Sequence, residues 1–283
     1  MPKTREITLV IPCKGRAAHV LSSIPILESI FENILVVDYN CPENISEQLK
    51  NKFPKIRCIK EENAHDYNAA KARNIGLRKV DTNFVFFKDA DIIPSQDFIK
   101  NLGEINYYEY FALMGRHRAL GANGSILVPT DSALKIEGYD EFFKGYGQED
   151  IDFFERLKML GLEPAYLPAE PERILSHKVE DREKFHDLSR PEALLRNRVY
   201  GFIKRDLMAL SRSITISERY RDYLRKRSDE AVTQAMTKNL RSLKISIAPK
   251  FPEQEYFSKT NGGPGTSING YLNRKITYEF RLL

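Results

Sequence analysis

The sequence contains no tryptophan, few cysteines and no long apolar run. The three thiols, Cys13, Cys41 and Cys58, are odd in number and form no Cys-x-x-Cys pair, which argues against a disulfide framework and a zinc ribbon. No stretch approaches the roughly 18 apolar residues of a membrane span. The first residues lead into a strand-like segment without the apolar core of a signal peptide. We therefore expect a cytoplasmic protein with reduced thiols.

The net charge of +5 is distributed unevenly along the chain. Residues 190–283 contain 19 Lys and Arg against 9 Asp and Glu, whereas residues 1–189 contain 25 against 30. We interpret the basic part as an extension, 190–283, of a main domain, 1–189. A solvated basic helix surface accounts for this charge. Contact with the inner face of a membrane, with an acidic glycan or with a second subunit are alternatives. No recognisable motif accompanies the charge, so a nucleic acid partner is not predicted.

Strand-like and helix-like segments alternate through the first third of the chain. Short runs rich in β-branched and aromatic residues predict four strands, and apolar residues at helical spacing predict three helices. The strands are residues 7–12, 34–38, 56–60 and 83–87, and the helices are residues 22–31, 45–52 and 66–80. Apolar strands separated by helices predict an α/β fold with a mostly parallel, Rossmann-like central sheet and helices on both faces. Ligands of such sheets bind at the carboxyl ends of the strands, where Pro12, Asp38 and Asp89 lie.

The pattern of the sequence changes after residue 121. A strand candidate at 124–128 is followed by a short helix at 131–137, a loop rich in glycine and aromatic residues at 138–147, and a helix that starts near residue 149. Residues 192–242 predict one or two long basic helices, and residues 276–281 predict a final short strand. The extension is therefore expected to be mainly helical, with a short β tail.

The triplet Asp89-Ala90-Asp91 directly follows the fourth predicted strand. Two carboxylates at positions i and i+2 of a turn can both reach one divalent cation, which takes oxygen ligands and bridges phosphate oxygens. The chain has neither a Gly-x-Gly-x-x-Gly turn nor a Walker loop, so a bound nucleotide would need such a cation or basic side chains. The alternative is an ordinary solvated turn, because Asp-x-Asp is a common pattern.

A second acidic motif, residues 145–152, places Glu149 and Asp150 at a predicted helix N-terminus. The helix dipole stabilises ionised carboxylates at that end. An ionised carboxylate in this position can act as a general base toward a hydroxyl. Helix capping is the alternative interpretation, and periodicity does not distinguish the two.

Several blocks of the sequence occur in an order that resembles a known family. Gly-Tyr-Asp-Glu at 138–141 and Gly-Tyr-Gly-Gln-Glu-Asp-Ile-Asp-Phe-Phe-Glu-Arg-Leu at 145–157 closely resemble the C-terminal signature of β-1,4-galactosyltransferases. Relatives of these enzymes, which include bacterial chondroitin-polymerase-type and polypeptide GalNAc-transferase-type enzymes, share this C-terminal signature. Ile-Pro-Cys-Lys-Gly-Arg at 11–16, Tyr-Asn-Ala-Ala-Lys-Ala-Arg-Asn-Ile-Gly at 67–76 and Phe-Lys-Asp-Ala-Asp-Ile-Ile-Pro at 87–94 match the earlier blocks. The resemblance covers roughly residues 5–180 and implies the GT-A fold of glycosyltransferases.

The resemblance divides the main domain into a nucleotide-binding half, 1–91, and an acceptor and metal half, 92–189. It assigns nine residues to the nucleotide sugar: Pro12, Lys14, Arg16, Asp38, Tyr67, Lys71, Arg73, Asp89 and Gly124. Asp38 matches a position that holds uracil or ribose, and Tyr67 an aromatic beside the base. For Lys71 and Arg73 a solvated helix face is an equally good interpretation. Ala69 departs from the family pattern, because an arginine is usual there.

The metal site implied by the resemblance combines the triplet with a histidine. Asp91 is the firm ligand, Asp89 lies near the ribose or a bound water, and His177 follows the second motif at the family's distance. Imidazole, carboxylate and diphosphate oxygens suit Mn²⁺, with Mg²⁺ as the alternative. Ile174 replaces a family methionine ligand, and His186 is a second histidine candidate. Lys88 is an unusual basic residue beside this site, and residues 178–190 could form a lid.

The acceptor side follows from the second motif. Tyr146 matches an aromatic on which the acceptor sugar stacks, Glu149 contacts sugar hydroxyls, and Asp150 matches the catalytic base of an inverting displacement. Gly121 stands where galactose-specific relatives have a bulky tyrosine, so an N-acetyl group would fit.

The resemblance thus implies a metal-dependent inverting glycosyltransferase that moves a hexose or N-acetylhexosamine from a UDP-sugar. The acceptor would be a hydroxyl of a glycan or a lipid-linked saccharide, in the synthesis of a surface polysaccharide. A retaining GalNAc-transferase-like enzyme and a non-catalytic nucleotide-sugar-binding module are the alternatives. A nucleotidylyltransferase is disfavoured, because it would need a longer glycine-rich phosphate loop after the first strand.

Overall fold

The computed structural model describes residues 4–94, 110–114, 125–167, 171–175, 184–248 and 275–282. The chain divides into two compact units, Met1–Leu194 and Leu195–Leu283. The functional division after residue 189 stays a prediction, because packing alone defines these units. None of the helices in the described ranges is long and apolar enough to cross a membrane.

The first unit is built on a twisted sheet whose strand order, within the described residues, is β3-β2-β1-β4-β7-β6-β8. Its strands are β1 (Ile7–Cys13), β2 (Asn33–Asp38), β3 (Arg57–Lys60), β4 (Phe84–Phe87), β6 (Tyr110–Met114), β7 (Ile126–Pro129) and β8 (Glu163–Leu167). β5 (Ile92–Pro94) and β9 (Pro171–Ile174) form a separate antiparallel pair. Only β7 runs antiparallel to its neighbours in the main sheet as described. The predicted α/β fold with a mostly parallel sheet is confirmed.

The strand β1 forms the centre of the core. All seven of its residues are buried, because it is covered on both faces and pairs in parallel with β2 and β4. The register places Cys13 opposite Asp38 at the carboxyl ends of β1 and β2. The residues that follow these strands therefore lie side by side.

In the described part of the first unit, five α-helices accompany the strands: α1 (Ala17–Glu28), α2 (Ile45–Lys52), α3 (Ala69–Leu77), α4 (Thr130–Lys135) and α5 (Glu149–Met159). The helix predicted at 22–31 begins and ends earlier than its apolar pattern indicates. The helix predicted at 66–80 is shorter, because the Asn68 side chain caps it by accepting a hydrogen bond from the Lys71 amide at 2.9 Å.

The helix α3 packs closely against the sheet at Gly76. A Cβ atom at this position would overlap Cγ1 of Val10 in β1, so only glycine allows the helix backbone to come this near. Arg73 precedes Gly76 by three residues and therefore shares its face of the helix. This approach directs Arg73 toward the carboxyl ends of the central strands.

A buried ion pair anchors α5. Asp152 accepts a hydrogen bond from Nε of Arg156 at 2.8 Å, and both side chains are 2% exposed. Arg156 also donates to the carbonyl of Ile136, in the loop that follows α4. The ring of Phe153 stacks on Tyr139 at 4.0 Å. These contacts fix the start of α5 relative to the loop before it.

The second unit contains most of α6 (Arg190–Ser211), α7 (Glu218–Thr237) and the strands β10 (Ser242–Ile247) and β11 (Ile276–Arg281). The one or two predicted basic helices are two, α6 and α7, and the predicted final strand is present. The strand β10 was not predicted; it pairs antiparallel with β11. Arg225 ties α7 to α6 through Asn197, at 2.6 Å.

Candidate active site

The two acidic motifs meet at the buried guanidinium of Arg73. Nη2 donates to Oδ1 of Asp89 at 2.9 Å, and Nη1 donates to Oδ1 of Asp150 at 3.0 Å and to Oε1 of Glu149 at 3.5 Å. The Arg73 side chain is 4% exposed, and its guanidinium carbon lies 5.0 Å from the centre of the Tyr139 ring. Arg73 thus lies in the protein interior, and the solvated-face interpretation is wrong for it.

The charges around Arg73 affect the protonation of Asp150. Burial raises the pKa of Asp150 well above the usual range, Arg73 opposes the rise, and the neighbouring charges of Glu149 and Asp89 add to it. A carboxylate of raised pKa takes up a proton more readily than an ordinary aspartate. The predicted base therefore lies where its basicity is increased.

Asp91 lies beside the chain that leads to the predicted histidine ligand. The amide of Leu175 donates to the Asp91 carbonyl at 2.8 Å, and Ile92 pairs with Ile174 between β5 and β9. His177 is two residues beyond Leu175 and lies outside the described residues, as does Gly124.

The described residues include two of the predicted metal ligands. Asp89 and Asp91 offer hard carboxylate oxygens, which suit Mn²⁺ or Mg²⁺. In the part of the chain that the structure describes, no group of three or more His, Cys, Asp or Glu side chains could hold a metal. The donor set therefore fits such a cation only if further ligands come from His177 or from the substrate phosphates.

Lys88 places a positive charge directly before the triplet. Its side chain is buried, and Nζ donates to the Asp89 carbonyl at 2.8 Å. Burial lowers the pKa of Lys88 to about 8, while Asp89 and Asp91 act in the opposite direction. This lysine holds the backbone of the triplet.

Lys14 and Asp38, two residues predicted to bind the nucleotide, make bonds to the backbone. Nζ of Lys14 donates to the carbonyls of Ala64 and Tyr39 at 2.8 and 3.3 Å, and burial lowers its pKa. The Asp38 carboxylate accepts from the amides of Cys41 and Ser46 at 2.7 and 3.2 Å. Both side chains therefore order the loops at the strand ends.

The other predicted nucleotide residues of β1 and its loop are placed differently. Pro12 lies within β1 and is buried. Arg16 is half-buried before α1, and its side chain has no hydrogen bond or ion pair with the described residues in the structure. Lys71 is 39% exposed and lies 3.7 Å from Glu61, as expected for a solvated helix face.

Tyr67 belongs to an aromatic cluster. Its ring meets Tyr39 edge-on at 5.8 Å and His186 at 5.8 Å, and its amide donates to the Phe185 carbonyl at 2.8 Å. The ring of Phe185 lies so close to Gly15 that a Cβ atom there would overlap it. The structure places His186, the second histidine candidate, against Tyr67 in this cluster.

Tyr146 lies under the guanidinium of Arg190, on the acceptor side of the predicted site. The guanidinium carbon lies 4.2 Å from the ring centre, and Nη2 donates to the Tyr146 hydroxyl at 3.1 Å. Only two residues separate Tyr146 from Glu149, the first residue of α5.

Sequence reasoning did not identify Asn74 and Tyr139 as parts of this site. Nδ2 of Asn74 donates to the Tyr139 carbonyl at 2.8 Å, and Oδ1 accepts from the Tyr139 amide at 2.7 Å. These bonds tie α3 to the loop before α5. Asn74 belongs to the sequence block 67–76, but the pattern of that block alone indicates only a helix.

Comparison with known proteins gives matches to glycosyltransferases along the first unit. A family model described as glycosyl-transferase for dystroglycan matches residues 19–119, and one described as the N-terminal domain of galactosyltransferase matches residues 115–181. Pre-mycofactocin glycosyltransferases from two strains of Mycobacterium tuberculosis are 30% identical over 105 residues. That match covers 36% of this chain and 21% of each relative, so it spans about a fifth of the relatives' length.

Two solved structures share the architecture. The mannosyltransferase PcManGT from Pyrobaculum calidifontis, in complex with GDP-Man and Mn²⁺, has a TM-score of 0.52 at 12% identity, over 84% of this chain and 76% of that chain. Residues 1–349 of TarS from S. aureus give a TM-score of 0.52 at 13% identity, over 82% and 73%. Identities this low show the fold alone. Two glycosyltransferase family models thus match consecutive parts of the first unit, and the chain has the fold of GT-A glycosyltransferases.

Proposed function

We propose that the protein is a metal-dependent inverting glycosyltransferase. It moves a hexose or an N-acetylhexosamine from a UDP-sugar to a hydroxyl of a glycan or lipid-linked acceptor. One observation carries this proposal. Arg73 binds Asp89 of the metal motif and Asp150 of the base motif with one guanidinium, in a fold that glycosyltransferases share.

Asp150 is the proposed base. Its raised pKa favours proton uptake from the acceptor hydroxyl. The acceptor oxygen then bonds to the anomeric carbon as the bond from that carbon to the diphosphate oxygen breaks on the opposite face. The proton ends on Asp150, the electron pair leaves with the diphosphate, and the configuration inverts. Glu149, which shares Arg73 with Asp150, is proposed to bind sugar hydroxyls.

Asp91 and Asp89 are proposed to hold the metal together with His177. The hydrogen bond between Leu175 and Asp91 supports this assignment, because it holds the chain near Asp91 two residues before the histidine. A bound Mn²⁺ or Mg²⁺ supplies positive charge that stabilises the leaving diphosphate. The PcManGT structure contains Mn²⁺ with a nucleotide sugar, which agrees with such a site.

The nucleotide is proposed to bind at the carboxyl ends of β1 and β2. Arg16 offers a guanidinium that has no partner among the described side chains, and Tyr67 offers an aromatic ring beside the base. Pro12, Lys14, Asp38, Lys71 and Gly124 complete the proposed donor site. Lys14 and Asp38 act through the loops that they order. Gly121 has no side chain where galactose-specific relatives have a bulky tyrosine, and we therefore propose that the donor sugar is an N-acetylhexosamine.

The role and location of the protein belong to the same proposal. We place it in the cytoplasm, in the synthesis of a surface polysaccharide. The excess of basic residues in 190–283 supports contact with anionic lipid, with an acidic glycan or with a second subunit.

Release of UDP from a panel of UDP-sugars tests this function. We expect the full chain with Mn²⁺ to hydrolyse UDP-GlcNAc or UDP-GalNAc slowly without acceptor, and EDTA or Asp91→Ala to abolish the release. Asp150→Asn should lower transfer by about 10²–10³-fold, as expected for loss of a group that acts in the transition state, while UDP still binds. Arg78→Gln, a change at an exposed side chain, is the matched control.

The alternatives give different results. A retaining enzyme would yield the α product, which the coupling constant of the anomeric proton reveals by NMR. A non-catalytic module would bind UDP-sugars without releasing UDP. Full UDP release by Asp91→Ala in EDTA would refute metal dependence.

A further inference from the structure

Arg190 is held by an aromatic ring in the proposed acceptor site. Its guanidinium carbon lies 4.2 Å from the centre of the Tyr146 ring, and one of its five N–H groups bonds to the Tyr146 hydroxyl. Among the described residues, Arg190 has no ion pair with an Asp or Glu side chain. By contrast, the buried Arg73 and Arg156 both bind carboxylates.

We propose that Arg190 binds an anionic group of the acceptor, either a carboxylate or a phosphate. This inference rests on the proposed function and extends it by naming the chemical class of the acceptor. A stacked guanidinium keeps its edge N–H groups available, and their planar fork matches the oxygens of a carboxylate or phosphate.

The backbone around Arg190 fixes its place beside the loop 145–148. The loop 145–148 has positive φ angles at Gly145 and Gly147, +72° and +85°. A Cβ atom on Gly145 would lie 2.9 Å from Cβ of Ala193, and one on Gly147 would lie 2.8 Å from Cδ2 of Leu194. The loop therefore packs tightly against the first turn of α6, where Arg190 is the first residue.

The residue that Arg190 contacts, Tyr146, is close along the chain to the proposed base. Tyr146 lies four residues before Asp150, the proposed base. An acceptor sugar whose hydroxyl reaches Asp150 would extend over this loop toward Arg190. Glu149 and Asp150 are hydrogen-bonded to Arg73, so their charges are partly compensated before an acceptor arrives.

Binding of matched sugars measures the preference for charge. The probes are p-nitrophenyl β-D-glucuronide, p-nitrophenyl β-D-glucoside 6-phosphate and the neutral p-nitrophenyl β-D-glucoside, titrated by calorimetry into the full chain with UDP and Mn²⁺. We expect at least one anionic probe to bind about tenfold more tightly than the neutral probe, as a charge-assisted hydrogen-bond pair provides. The carboxylate and phosphate probes identify which anion the site accepts.

Variants of α6 assign that preference to a residue. Arg190→Gln should reduce the anionic-to-neutral affinity ratio from about ten to about one, and Arg190→Lys should retain part of it. A purely structural role would weaken all three probes equally and leave the ratio unchanged. Arg198→Gln removes an exposed charge from the same helix and is the control that should keep the ratio.

Three results would overturn the inference: equal affinity for all three probes, no measurable affinity for any of them, or an unchanged ratio in Arg190→Gln. The proposed function is tested separately by UDP release without acceptor. Absence of UDP release together with an Arg190-dependent ratio would refute the enzyme and retain the anion site. UDP release together with equal probe affinities would support the enzyme and refute the anion site.

Discussion

Replacing Arg73 by methionine tests whether one guanidinium holds the site together. The change leaves Asp89, Glu149 and Asp150 without the cation that they share. Removing one partner of a buried ion pair costs about 3–5 kcal/mol. These carboxylates are 14–28% exposed, so solvent screening places the loss near the lower end, about 3 kcal/mol. For a chain of this size that corresponds to a fall in Tm of roughly 10 °C.

The loss of stability should depend on pH in a defined direction. The pKa of Asp150 is already raised in the folded protein, and Arg73 opposes the rise. Its removal raises that pKa further, so the folded state binds more protons than the unfolded state. Stability then falls as the pH rises above the usual carboxyl range of about 4. The deficit of Arg73→Met relative to the wild type should therefore be smaller at pH 5 than at pH 8.

Thermal unfolding at both pH values and UDP release make up the assay. Arg73→Lys keeps the charge but cannot bond to Asp89 and Asp150 through two separate nitrogens, so we expect about a 10²-fold loss of transfer with a smaller loss of stability. Arg78→Met is the control, because its contact with Glu141 is 3.8 Å long and exposed. An equal deficit at pH 5 and pH 8, or wild-type transfer by Arg73→Lys, would refute the reasoning.

Two further changes test the packing that positions the site. Gly76→Ala should lower stability by about 1–3 kcal/mol, measured by urea unfolding, because the new methyl group overlaps Val10. A loss below 0.5 kcal/mol would contradict the close approach of α3. Asp152→Ala should cost about 3–5 kcal/mol by leaving Arg156 buried and unpaired, whereas Glu155→Ala, in an exposed pair on the same helix, should cost at most about 1 kcal/mol. Equal losses of stability in Asp152→Ala and Glu155→Ala would contradict the conclusion that the buried ion pair anchors α5.

The first half of the fold could be predicted because its signals are local. The strands β1, β2 and β4 are short apolar runs between helices, and burial on both faces of a parallel sheet demands such runs. The edge strand β3 is partly exposed. The predicted first and last residues of the helices and strands were less accurate than their order. The helix α1 begins at Ala17, before its apolar pattern does. The strand β10 has alternating buried Leu243, Ile245 and Ile247, but no element is predicted directly after the helical region that ends at residue 242.

Features that depend on a partner distant in sequence could not be predicted. Nothing in the pattern of α3 distinguishes Arg73, which binds three carboxylates, from Lys71, which faces solvent. Lys14 and Asp38 were recognised by type and position, but their partners are backbone atoms of loops whose course the sequence does not define. The assignment of His177 stays a prediction, because it lies outside the described residues.

The helix α3 assembles the site from elements that are far apart along the chain. Gly76 brings it against β1, and Asn74 ties it to the loop that precedes α5. Asn68 donates to the Glu141 carbonyl at 2.9 Å in the same loop. With both ends of the helix fixed, Arg73 can reach both acidic motifs with one side chain. A helix of nine residues therefore determines how the two acidic motifs are positioned relative to each other.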